Sequence, residues 1–139
     1  MRLKADMKIL IVDDFPVMRK LVRAALKEIG LINTVQAKSG LDAIVRLEEG
    51  GVELVISDWN MPELDGLELL KWIRSSGRFK HLPFLMVTAR GQRENVIKAI
   101  QTGVNNYIIK PFTAQDLEAK IAQVFAELAQ ESSPPADQA

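Results

Sequence analysis

No cysteine occurs among the 139 residues, which excludes a disulfide framework and any thiolate zinc site. Charge of one sign is lacking too. Lys plus Arg number 18, and so do Asp plus Glu, so nothing in the overall balance draws the chain to nucleic acid or an anionic membrane. No apolar run approaches the roughly 20 residues of a membrane helix. The opening "MRLKAD" lacks the apolar stretch of a secretion signal. A soluble, cytoplasmic protein is expected, with neither nucleic acid nor membrane as a direct partner. Histidine is almost absent: His81 stands alone in a "KHLP" loop, without a visible catalytic partner, and is read as a solvated residue. Aromatics are sparse at 6%. Trp59, Trp72 and Tyr107 are each read first as packing residues.

What is present suits one domain with one sizeable core. Apolar residues make up 47% of the chain, and its length fits a single globule. Short, nearly continuous apolar runs stand at 8–12, 53–57, 83–87 and 106–109, with a weaker one at 34–37. Runs of this length fit strands buried on both faces, as in a parallel sheet. Helical patterns lie between them. Pro16 suits a first turn, Val17, Leu21, Ala24 and Ala25 recur at helical spacing, and Gly30 ends the run. Ser39 to Asp42 has capping-box spacing, with glycines at 50 and 51 closing that helix. Leu67, Leu70 and Ile73 mark a third helix beginning at Gly66. Val96, Ile97 and Ile100 mark a fourth, closed by Gly103. Thr113 to Asp116 opens a fifth that carries Leu117, Ile121, Val124, Phe125 and Leu128 on one face. Five strands alternating with five helices predict an α/β, doubly wound parallel sheet. The domain is expected over 7–129. The polar, proline-containing residues 130–139 are expected to be a disordered tail or the start of a linker.

In such a sheet, ligands gather at the carboxyl ends of the strands. The residues there are Asp13 and Asp14, then Asp58, then Thr88 and Ala89, then Lys110 and Pro111. Taken singly, each is an ordinary turn, cap or loop residue. Together they crowd three carboxylates, a hydroxyl and an ammonium onto one rim, and such crowding points to function. Two unit charges about 4 Å apart repel by about 4 kcal/mol at an effective dielectric near 20. A hard divalent cation relieves that repulsion, and oxygen-only ligands favour Mg2+. Lys110 is a mobile charge suited to phosphate oxygens, and a carboxylate can itself become a nucleophile and form an aspartyl phosphate.

The stretches "ILIVDD", "VISDWNMPELDGLELL", "LMVTA" and "YIIKPFTA" resemble the receiver domain of two-component response regulators. "DDFPVMRKLVR" and the "DWNMP" turn make the chain similar to the single-domain chemotaxis response regulators in particular. The resemblance covers residues 7 to 129 and implies a flavodoxin-like strand order of 2-1-3-4-5. It implies that Asp58 is the phosphoacceptor. Asp14 ligates Mg2+ directly, Asp13 does so through water, and Asn60 contributes its backbone carbonyl. Lys110, Thr88 and the Ala89 N–H stabilise the transferred phosphoryl group. The protein thereby catalyses its own phosphorylation and dephosphorylation while serving mainly as a switch. The output face is expected at Thr88, Tyr107, Arg93, Ile109 and Lys120. Expected partners are a histidine kinase, a flagellar motor switch protein or another protein target, and a phosphatase; a monomer is expected. Arg90 and Gln123 depart from the residues of well-known chemotaxis relatives, which bears on signal lifetime and target choice. Two alternatives are a receiver domain cut from a longer regulator, with "SSPPADQA" as linker, and a Mg2+-dependent aspartyl-phosphate phosphatase. The second lacks an evident cap or substrate pocket. "DDF" also lacks the glycine-rich loop of a nucleotide-binding fold.

Overall fold

The computed structural model describes residues 5–89 and 93–131; Arg90 and most of the expected tail lie outside them. Strands and helices alternate: β1 (Ile9–Val12), α1 (Pro16–Glu28), β2 (Thr34–Ala37), α2 (Gly40–Glu49), β3 (Leu54–Asp58), α3 (Gly66–Ser75), β4 (Phe84–Ala89), α4 (Arg93–Thr102), β5 (Asn106–Lys110) and α5 (Ala114–Glu131). The strands form one sheet in the order β2-β1-β3-β4-β5, and each neighbouring pair is parallel. This is the doubly wound order expected from the resemblance. It places β1 and β3 side by side at the middle, with the crossover from β1 to β2 running outward on one side.

The period-2 alternation of side chains divides each strand between two apolar layers. Leu10, Val12, Val55, Phe84 and Met86 pack with Ala43, Leu47, Leu69, Leu70, Ile73 and Ala99, so α2, α3 and α4 cover that face. Ile9, Ile11, Leu54, Ile56, Leu85, Val87 and Ile108 pack with Val22, Leu26, Leu117 and Ile121 from α1 and α5 on the other. Because β1, β3 and β4 are apolar on both faces, their sequences read as continuous runs.

Caps fix where the helices begin. At α1 the N-cap residue Phe15 is extended and offers no side-chain bond, so Pro16 alone presets the first turn. Ser39 Oγ accepts the Asp42 N–H at 3.0 Å. Asp42 reaches back one residue further than a capping box requires, accepting the Lys38 N–H at 3.1 Å. Thr113 and Asp116 exchange both bonds at 3.0 Å. A full capping box at Asp65 and Glu68 starts α3. Sequence reading had placed only the glycine there.

Two helices turn a different stripe inward from the one expected. In α1 the buried residues are Val22 and Leu26, whereas Val17 and Leu21 are exposed and Ala24 is exposed as well. Among the described residues of α4 only Ala99 is fully buried; Ile97 and Ile100 are 47% and 58% exposed. In α1 two neighbouring i, i+4 stripes are apolar, the sheet has room for one, and periodicity alone does not choose between them. In α4 the residue turned inward is the small Ala99, which an apolar pattern of large side chains does not single out.

One latch ties the opposite rim. Arg74, in the last turn of α3, donates from Nε to Gly103 O at 2.9 Å and from Nη1 to Leu82 O at 2.7 Å. It also donates to Lys80 O at 3.2 Å and from Nη2 to Asn105 Oδ1 at 2.9 Å. Asn105 Oδ1 in turn accepts the Phe84 N–H at 2.7 Å. One guanidinium thus joins α3, the loop into β4 and the turn into β5.

Candidate functional site

The expected site residues lie within the strands as well as beyond them. Asp58 is the last residue of β3 and pairs with Val87; Thr88 and Ala89 belong to β4; Lys110 ends β5 and pairs with Ala89. The runs expected to stop at 57, 87 and 109 therefore extend further, because the parallel ladder continues to the rim. Asp13 follows β1 directly, and its N–H still donates to Ala37 O of β2 at 3.1 Å.

The acidic residues converge. Carboxylate oxygens of Asp13, Asp14 and Asp58 all lie within 4.8 Å of one another. Asp13 is 3% and Asp58 5% exposed, while Asp14 is half-buried. Lys110 Nζ stands 3.0 Å from Asp58 Oδ1. That oxygen is buried and receives no well-aligned hydrogen bond, so among the described residues the Lys110 ion pair is its one close polar partner. An unsatisfied buried carboxylate oxygen is costly in a folded protein, and here it faces two further carboxylates. The arrangement fits a small cation. Mg2+ takes oxygens at about 2.1 Å, so opposite ligands stand ~4.2 Å apart, and it keeps several waters. Three oxygens within 4.8 Å of one another are close enough to serve one such ion, directly or through its waters.

Burial raises the pKa of Asp13 above the ordinary carboxylate value, and the neighbouring charges of Asp58 and Asp14 add to the rise. The Phe15 N–H, which donates to Asp13 Oδ1 at 2.9 Å, and the Lys110 ammonium oppose it without cancelling it. The cause is removal of a charge from water beside charges of its own sign.

Close packing holds Asp58 from below. Gly66 opens α3 directly beneath it, and a Cβ on Gly66 would collide with the Asp58 carbonyl oxygen and stand 2.9 Å from Met86 Sδ. Only glycine permits that approach. Ser57, fully buried, donates from Oγ to the same carbonyl at 2.9 Å. Trp59 is buried in the layer under α2 and α3. Asn60 is exposed at the rim.

Thr88 is buried, 2% exposed; among the described residues its hydroxyl has only a long 3.5 Å contact with Ala89 O. Tyr107 is half-buried beside the layer that holds Met86, and Lys120 Nζ lies 5.1 Å from its ring centroid, a cation–π distance. Ile109 is exposed two residues on. Arg93 begins α4, but its side chain lies outside the described residues. Gln123 accepts from Asn106 Nδ2 at 3.0 Å, tying α5 to β5. His81 is exposed, and Trp72 stacks obliquely on Phe79 at 5.9 Å, so both keep the plain roles read for them.

Sequence reading missed Arg19. It lies on α1 one turn beyond Pro16 and donates from Nη1 to Asp13 O at 2.7 Å. A cation six residues after Asp13 carries no distinguishing signal in the sequence, where it looks like one more charge on a solvated helix.

Comparison with known proteins agrees with this architecture. The response regulator receiver domain matches residues 9–122. The chain is 49% identical over 126 residues to chemotaxis protein CheY-3 of Vibrio cholerae, covering 91% of this chain and 97% of that one. It is 48% identical over 119 residues to chemotaxis protein CheY of Pseudomonas aeruginosa, covering 86% and 96%. Among solved structures, a chemotaxis response regulator, CheY4 of Vibrio cholerae, superposes with a TM-score of 0.78 at 28% identity over 86% of this chain and 98% of that one. One described as a putative response regulator, from Chloroflexus aurantiacus, superposes with 0.82 at 30% identity, covering 87% and 98%. With the parallel 2-1-3-4-5 sheet and the acidic rim already in place, these matches make the chain a member of the response regulator receiver family, a receiver module of two-component signalling.

Proposed function

We propose that the protein is a phosphorylation switch of chemotaxis, accepting a phosphoryl group from a histidine kinase on Asp58 and presenting an altered face to a flagellar motor switch protein. The observation that carries this reading is the buried Asp58 carboxylate, gathered with two further acids and paired through Oδ1 with Lys110. The two curated relatives named above are chemotaxis proteins, and the chain spans 97% of CheY-3, which supports the chemotaxis reading. Among the described residues no helix is long and apolar enough to cross a membrane.

A carboxylate oxygen of Asp58 attacks phosphorus in line, forming an O–P bond while the N–P bond of the donor's phosphohistidine breaks and the imidazole keeps the electron pair. Lys110 holds a phosphoryl oxygen. The Thr88 hydroxyl and the Ala89 N–H donate to the others, so charge spread over the transferring group meets prepositioned donors. Asp13, Asp14, Asp58 and the Asn60 carbonyl would hold Mg2+. Bound there, the ion would supply the positive charge that lets an anionic donor approach three carboxylates. Hydrolysis by water returns the switch to rest.

With Mg2+ and a small acyl or amide phosphodonor, intact-mass measurement is expected to show one phosphoryl group gained by the wild type and none by Asp58→Asn. Equal labelling of the two forms would remove Asp58 from its role.

A further inference from the structure

Asp13 is held at three points. Its N–H donates to Ala37 O, its Oδ1 accepts the Phe15 N–H, and its carbonyl accepts Arg19 Nη1 at 2.7 Å. The first two bonds use backbone donors that almost any local sequence would supply. The third depends on one side chain. The same guanidinium donates from Nε to Gln36 Oε1 at 3.1 Å, on the neighbouring strand β2. Arg19 therefore spans α1, the β1–α1 junction and β2 with one rigid fork. Both acceptors are neutral. Among the described residues Arg19 has no ion pair, so it is not simply one half of a surface salt bridge.

We infer that Arg19 is a positioning residue for the acidic pair, fixing the backbone at Asp13 so that the carboxylates of Asp13 and Asp14 point at the rim together with Asp58. This rests on the reading of those acids as a Mg2+ site. The physical need is plain: the three carboxylates repel one another, and the β1–α1 junction that carries two of them begins a helix whose N-cap makes no side-chain bond. Without a tie, repulsion would be relieved by swinging Asp13 and Asp14 apart. A planar guanidinium bonding two acceptors in fixed directions resists that swing; an ammonium cannot span both acceptors with the same geometry.

Charge and position predict opposite signs, which makes the inference testable. A cation beside a cation site repels the incoming ion, so if charge were all that mattered, Arg19→Gln would bind Mg2+ more tightly. If Arg19 positions the acids, the same substitution weakens binding. Arg19→Lys, which keeps the charge and loses the fork, weakens it as well. Partners that bond ligand atoms directly are worth roughly 10–100-fold in metal affinity. Arg19 acts one step removed, through a carbonyl, so a weakening of about three- to tenfold is expected.

The experiment titrates Mg2+ into the unphosphorylated full chain, following Trp59 fluorescence and, independently, heat, for wild type, Arg19→Gln, Arg19→Lys and Asp14→Ala. Melting temperatures are recorded alongside, since a merely structural role would lower them and leave the Mg2+ dissociation constant where it was. Weakened binding in both Arg19 variants supports the inference. Tighter or unchanged binding in either overturns it, and Arg19→Lys carries the decision if Arg19→Gln does not fold. Asp14→Ala separates the two readings: strong weakening there with unchanged Arg19 variants sinks the positioning role alone. An unchanged Asp14→Ala removes the metal site and the inference with it.

Discussion

Asp13 is the carboxyl on which burial and charge crowding register most clearly. Its folded-state pKa is raised, first by desolvation and then by Asp58 and Asp14. The sign follows from linkage. Between the ordinary carboxyl value, near ~3.9, and the raised one, the folded protein holds more proton than the unfolded chain. Stability therefore falls as pH rises through that interval. A bound divalent cation favours the ionised form and opposes the fall. Without Mg2+, the wild type is expected to lose stability relative to Asp13→Asn as pH rises from about 4, and saturating Mg2+ should shrink that loss. Urea midpoints of both proteins across mildly acidic pH, with and without the ion, check this. The same competition predicts weaker Mg2+ binding in mild acid. A difference between the two proteins that does not change with pH would mean that Asp13 titrates alike folded and unfolded.

Elements were readable in the sequence to the extent that one physical pattern dictated them. The strands of the sheet centre, β1 and β3, declared themselves because both faces are buried, and their order followed from the resemblance. α5 was read correctly face and all, since Leu117, Ile121 and Val124 form its single apolar stripe. α1 and α4 were not: α1 carries a second apolar stripe that ends in solvent, and α4 turns inward the small Ala99 while Ile97 and Ile100 face solvent. The acids, Lys110 and Thr88 were visible as a cluster at the strand ends. Arg19 and the Arg74 latch were invisible, because both work through backbone carbonyls, which leave no trace in residue identity. Arg74 shows what that hidden layer contributes. Burial lowers its pKa, yet four hydrogen bonds hold the charged form. Removing the side chain leaves partly buried carbonyls to seek water. Arg74→Ala is expected to destabilise the fold by about 2–4 kcal/mol, a little more than one or two charged hydrogen bonds. That would lower the urea midpoint by roughly 1–2 M at a typical slope. A midpoint unchanged within error would show the latch to be a solvated ornament of the loops.

The whole molecule is unevenly anchored, and its output should follow the unevenness. On one face, α1 and α5 sink two or three large side chains each against the sheet. On the other, α4 is held by the small side chain of Ala99 and shows Ile97 and Ile100 to solvent. Its far end is bound through Gly103 to Arg74. Asp58 pairs with Val87, one residue before Thr88, and Thr88 pairs with Ile109 of the edge strand, so the proposed switch would run along this register. Tyr107 sits two residues back on that strand, half-buried, under the Lys120 ammonium of α5. Under the proposed function its part is in coupling and not in the reaction, since its nearest charged neighbour is Lys120 of α5. A partner can shift this equilibrium only by binding one state better than the other, and a tenfold preference corresponds to about 1.4 kcal/mol. Tyr107→Ala is therefore expected to change the phosphorylation rate by less than about threefold while erasing most of a tenfold difference in partner affinity between the two states. Both quantities should be measured on one preparation, with the proposed motor switch protein as partner. A large fall in phosphorylation with the affinity difference intact would place Tyr107 in the chemistry, and coupling would then have to run through α4 alone.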